Sequence, residues 1–160
     1  MIASATKKWY FLLHKIGDKM AQTIENTIRK RILGKGTGWV FSERDFADLA
    51  GRSTIASTLH RFEKSALIRP VIRGLYEYPK FSETLGRTLS TDTDQVASAL
   101  ARKFGWRIQP GGAMAANLLG LSTQVPARAI YLSDGPERSY KLGNQTLVFQ
   151  HTALKDVGFK

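Results

Sequence analysis

The residues best spaced for chemistry lie within Arg52–Lys64. At about 100° per residue, Ser53, Ser57, His60, Arg61 and Lys64 fall on one side of a helix, with Thr54 and Thr58 on its flank and Arg52 at its start. No acid shares that side; Glu63 lies toward the apolar one. Arg and Lys attract phosphate, and small hydroxyl residues near a helix start can approach base edges, so the chemistry this pattern suits is recognition of a duplex. An amphipathic helix with a solvated polar face is the plainer reading of the same pattern. The acid-free face, the hairpin that follows and the net charge favour DNA.

Other groupings are weaker. His14, His60 and His151 sit in separate segments with no carboxylate at ligand spacing, so no metal site is expected. Asp92 and Asp94 read as capping and linker polar groups rather than a carboxylate pair. Gly111-Gly112 lacks the further glycines and the Lys of a phosphate loop, and suits close backbone packing at a helix start. Arg107, Arg128, Arg138 and Lys141 would form a basic surface if their strands were adjacent, and are otherwise scattered solvated cations. No activated nucleophile or acid–base pair is present, so no enzyme, no catalytic residue and no cofactor is expected.

The elements around Arg52–Lys64 give that stretch its context. Ser42 and Asp45 form a capping-box pattern ahead of a short helix through Phe46, Leu49 and Ala50, stopped by Gly51. Ser53 is expected to cap the next helix, whose apolar face is Ile55, Leu59, Phe62 and Ala66. A hairpin follows, from Leu67 to Pro79, turning at Arg73-Gly74; Arg69 and Arg73 put charge on this wing. Upstream, Met20, Ile24, Ile28 and Ile32 mark an amphipathic helix whose exposed face includes Arg29, Lys30 and Arg31, and Trp39–Phe41 is a strand that can pair with the wing. Helix, strand, helix, helix and hairpin make a winged helix-turn-helix over residues 18–81, after an extension at 1–17.

Residues 82–93 are rich in Ser and Thr without periodicity and read as a linker. Residues 94–160 follow as a small α+β domain. Asp94 caps a helix bearing Val96, Leu100 and Phe104. A strand at 106–110, an Ala-rich helix at 113–119 and three strands at 127–132, 139–142 and 145–151 complete it. Asp134-Gly135-Pro136 and Gly143-Asn144 are the turns of an antiparallel C-terminal sheet. The fold class is therefore α+β.

The 160 residues carry 24 Lys and Arg against 13 Asp and Glu, a formal charge of +11. Residues 1–90 hold 16 basic and 8 acidic side chains, and residues 91–160 hold 8 and 5. A basic excess in the half with the winged helix favours a polyanion. No apolar run nears the roughly 20 residues needed to span a bilayer. The Trp9–Leu13 run is too short for a signal-peptide core. There is no cysteine, which excludes disulfides and thiolate sites. A cytoplasmic protein without a membrane partner is the expectation.

Arg73-Gly74-Leu75-Tyr76-Glu77-Tyr78-Pro79-Lys80, Gln109-Pro110-Gly111-Gly112-Ala113 and the run Asn117 to Ala127 resemble the AbiEi-type antitoxins of type IV toxin–antitoxin (abortive infection) systems. Tyr131 to Gly135 and Gly143 to Thr146 continue the likeness, which covers roughly residues 20–152. The resemblance implies an N-terminal winged helix that represses its own operon. It also implies a C-terminal domain that counters a nucleotidyltransferase-like toxin without a stable complex. It places DNA reading at Arg52–Lys64 and the wing at Arg69–Tyr78, Tyr76 included, and carries over no catalytic residue. The expected partner is an operator duplex, met by a dimer or by copies that bind cooperatively. The reading from another class is a non-catalytic module that docks a protein or a structured RNA.

Overall fold

The computed structural model describes residues 19, 20, 22–124 and 126–153. The expected extension at 1–17, and the last residues of the expected second domain, lie outside these. The chain is mixed α+β, with two hydrophobic cores on either side of one small sheet.

Helix α1 runs through residues 22–35. Its every-fourth-residue isoleucines work as the periodicity predicts: Ile28 and Ile32 are buried and Ile24 packs beside them. Strand β1 (Val40–Phe41) follows. The short helix expected at 42–50 is a single 3-10 turn, Glu43–Phe46, held by the Ser42/Asp45 capping box. Helix α2 is Arg52–Lys64. Its cap is Gly51 rather than Ser53, so Ser53 lies inside the first turn.

Ile55, Leu59 and Phe62 are buried as expected, but the fourth buried residue is Thr58 rather than Ala66. Ala66 is past the helix end. It takes the left-handed position (φ 57°) while Leu67 N–H donates to Phe62 O at 3.0 Å and Ala66 N–H to Glu63 O at 3.0 Å. That is the bond pair of a Schellman motif, with Ala where Gly usually stands.

Strands β2 (Arg69–Ile72) and β3 (Leu75–Glu77) form the hairpin, and β1 pairs with the free edge of β3. Gly74 sits at φ 77°, the conformation this tight turn requires. Alternation splits the sheet between two cores. Phe41 and Tyr76 join Phe46, Ile55, Leu59 and Phe62 on one face. Val40 and Leu75 join the second core on the other.

A strand pair, β4 (Phe81–Ser82) with β5 (Arg87–Thr88), spans the expected boundary at 81/82 and runs into the stretch read as a linker. Helix α3 (Thr93–Phe104) begins at Asp92, whose carboxylate accepts from Asp94 N–H at 2.9 Å, so the cap is Asp92 and not Asp94. It packs Val96, Ala97 and Leu100 against Ala129, Tyr131, Leu147 and Phe149. Strand β6 (Ile108–Pro110), helix α4 (Gly112–Leu118) and strands β7 (Arg128–Ser133), β8 (Arg138–Leu142) and β9 (Gln145–His151) complete the chain.

The C-terminal sheet corrects the expectation of an all-antiparallel arrangement. Its order is β6-β7-β9-β8, with β7 and β9 parallel. The side chains explain the order. β7 and β9 each bury alternate apolar residues and occupy the centre, whereas β8, with Arg138, Ser139 and Lys141 exposed, suits an edge.

Candidate nucleic-acid interface

Helix α2 turns its polar side to solvent. Arg52, Ser53, Ser57, His60, Arg61 and Lys64 are all exposed, and Thr54 is half-buried. Acids nevertheless reach this side, two of them from neighbouring segments and one, Glu63, from α2 itself. Arg52, its side chain 91 % exposed, lies 3.3 Å from Glu43 Oε2. Arg61, 53 % exposed, forms an ion pair with Glu25 of α1 at 2.9 Å. His60 Nδ1 is 3.8 Å from Glu63. Ser57 Oγ donates to Ser53 O at 2.9 Å, one turn back. Among the described residues, Lys64 and Arg73 have no carboxylate within 4.0 Å.

Of the sequence-assigned residues, Thr58 is buried, and Tyr76 and Arg69 are half-buried and engaged within the fold. Thr58 is 0 % exposed, its hydroxyl accepting from Arg61 Nη2 at 3.2 Å; the i, i+3, i+4, i+7 stripe of 55, 58, 59 and 62 draws it inward. Tyr76 shares the register row of Phe41 and stacks on that ring at 6.3 Å, and burial raises its phenol pKa above the usual range. Arg69 shares the row of Glu77 instead and faces the second core. It donates to Glu77 Oε2 at 2.6 Å and to Leu89 O at 2.7 Å, so it braces the hairpin. Arg31, expected on the exposed face of α1, is held by both oxygens of Asp48 at 2.7 Å, and that bond keeps the Asp48 carboxyl below its ordinary pKa.

Arg107, Arg128, Arg138 and Lys141 do not form one stripe. Arg128 and Lys141 flank Thr146 in one row and share a sheet face. Arg138 pairs in register with Phe149, so it points to the opposite face and lies over the Phe104 and Trp106 rings at 5.2 and 5.6 Å. Arg107 is at the other end of β7 from Arg128, its N–H donating to Asp134 at 2.8 Å.

A groove joins the start of α2 to the hairpin tip. It holds about 800 Å³ and is lined by Arg44, Arg52, Arg73 and Lys103, with Glu43 and an apolar floor that includes Ile55. Arg44 and Lys103 are absent from the sequence-derived set. Lys103 was legible only as a cation in the last turn of α3, and its side of the molecule is decided by packing.

Asp92 and Asp94 serve α3: the first caps it, and the second accepts from Tyr131 OH at 2.7 Å. Gly111 N–H donates to Ile130 O at 2.8 Å, and a Cβ there would stand 2.9 Å from that oxygen, which is the close packing expected. Among the described residues no group of three or more His, Asp or Glu is arranged to hold a metal, and no helix is long and apolar enough to cross a membrane.

No curated protein and no solved structure matches the chain at a significant level. A family profile does, over residues 23–160, which is most of the length. The chain belongs to the DUF6088 family, described as a family of unknown function.

Proposed function

We propose that this chain is a DNA-binding transcriptional regulator whose N-terminal unit is a winged helix-turn-helix, with α2 as the helix that enters the major groove and β2–β3 as the wing. The observation that carries the reading is the exposed, cation-rich side of α2, from Arg52 to Lys64, in a helix whose opposite side is buried. Ser53 and Ser57 are small enough to let the helix approach base edges, and Lys64 and Arg73 are charges without a carboxylate in reach among the described residues. On this reading the chain acts in the cytoplasm, on an operator duplex, with no cofactor and no catalytic step.

The resemblance to AbiEi-type antitoxins extends the proposal to autorepression and to countering a nucleotidyltransferase-like toxin without stable binding. Its support is the sequence likeness around Arg73–Lys80 and Gln109–Ala127. Fluorescence anisotropy of the full chain on duplexes from its own upstream region tests the DNA reading; binding that weakens steeply with salt is expected, and no binding at low salt contradicts it. Co-expression with an adjacent nucleotidyltransferase-like gene tests the antitoxin reading, with rescue of growth as the expected result.

A second reading, a non-catalytic module docking a protein or structured RNA, is favoured by one feature. Leu118, Leu119 and Leu121 are exposed side by side at the end of α4. Retention of a stoichiometric protein after nuclease treatment of a lysate would favour it over the first.

A further inference from the structure

We infer that the groove between α2 and the hairpin tip takes a backbone phosphodiester of the bound duplex, and that Arg44 and Lys103, one from the 3-10 turn and one from α3, complete the site. The inference rests on the DNA reading above and extends the footprint beyond α2 and the wing to the C-terminal half of the chain.

Four cations reach this groove from four elements: Arg44 from the turn, Arg52 from α2, Arg73 from the hairpin tip and Lys103 from α3. One carboxylate, Glu43, faces them, and its pairing with Arg52 is long, 3.3 Å, with the arginine side almost fully solvated. The cations that brace the fold are matched otherwise. Arg31 has Asp48 at 2.7 Å, Arg69 has Glu77 at 2.6 Å and Arg102 has Asp45 at 2.8 Å. Among the described residues Arg44, Arg73 and Lys103 have no carboxylate within 4.0 Å, so three uncompensated charges share one concave surface. An excess of one sign above an apolar floor focuses potential and favours an anion.

The local bonds orient these groups without exhausting them. Arg44 Nη1 donates to Lys103 O at 2.9 Å, covering a carbonyl at the negative end of α3 that would otherwise repel phosphate. A guanidinium has five donors, so others remain. Lys103 Nζ donates to Gly74 O at 3.2 Å, a neutral carbonyl, and this bond ties the hairpin tip to α3 beside the groove. Lys103 Nζ lies close over Gly74: a Cβ there would stand 2.5 Å from it.

The test is duplex affinity of the full chain against salt, for wild type, Arg44→Gln, Lys103→Gln, the two combined, Lys103→Arg, and Lys64→Ala. The double variant is expected to lose about tenfold in affinity on specific and unrelated duplexes alike. Its log–log salt slope should be shallower by about 0.9 for each phosphate that is no longer neutralised. Lys103→Arg, which keeps the charge and a donor to Gly74, should retain the wild-type slope. Arg44→Gln alone, which leaves the Lys103–Gly74 bond in place, should still flatten the slope; if only Lys103→Gln acts, the effect is on the hairpin and the inference is wrong. If the double variant matches wild type while Lys64→Ala flattens the slope, the groove takes no phosphate and the DNA reading stands. If wild type binds no duplex, both fall.

Discussion

Arg69 donates to Glu77 at 2.6 Å across the β2–β3 hairpin, on a carboxylate whose side chain is 2 % exposed. Thr91 Oγ1 donates to the same oxygen at 2.9 Å, and Arg69 Nη2 reaches Leu89 O. The cluster ties the hairpin to the strap before α3. Removing the cation leaves a buried, uncompensated charge, so Arg69→Ala should lower stability by about 3 kcal/mol in urea unfolding. Arg69→Met with Glu77→Leu should recover most of that loss. A pair worth nothing would show no difference between the single and double variants.

Ala66 occupies the left-handed position that ends α2. An L side chain there is strained by about 1 kcal/mol, and glycine is not. Ala66→Gly should raise stability by about 0.5 kcal/mol after the entropy glycine adds to the unfolded chain. Because Ala66 is exposed, core packing is unaffected. A fall in the urea midpoint would contradict the conformation assigned to it.

Burial, together with the bond to Asp94, pushes the Tyr131 phenol well above its ordinary pKa near 10. A phenol raised in the folded state contributes its full stabilisation below the unfolded value. That contribution declines as pH rises above about 10 toward the folded pKa. Stability should therefore fall with pH above about 10, and Tyr131→Phe should flatten the decline while costing stability at neutral pH. Tyr76, raised mainly by burial, accounts for part of the remaining slope. An unchanged decline in Tyr131→Phe, followed by urea midpoints across this pH range, would contradict the assignment.

What could be read from the sequence was whatever periodicity controls. The isoleucines of α1, the Ile55–Leu59–Phe62 stripe and the Arg73-Gly74 turn follow from spacing and one obligatory glycine. What could not be read was which of two faces a residue in a short strand would take. Arg69 and Tyr76 lie in strands of four and three residues whose two faces meet different cores, so their polarity gave no direction. Thr58 was misplaced because a hydroxyl suits a flank, yet its position within the stripe overrides that preference. The parallel β7–β9 pair was hidden for a similar reason. Turn residues on either side of β8 predict hairpins, and only the greater apolar content of β9 moves it to the centre. Arg44 and Lys103 converge through packing between elements 59 residues apart, a separation no local pattern encodes.

The central claim is that the outer side of α2 holds DNA. Lys64 is free of carboxylates among the described residues, while Arg61 must leave Glu25 to reach a phosphate. The most direct measurement is the salt dependence of duplex affinity for wild type and for Arg61→Ala with Lys64→Ala, in chains shown to be equally folded. The account predicts weaker binding to every sequence and a log–log slope shallower by about 0.9 for each phosphate the two side chains neutralise in the wild type. Identical affinity and slope in the two proteins would contradict it.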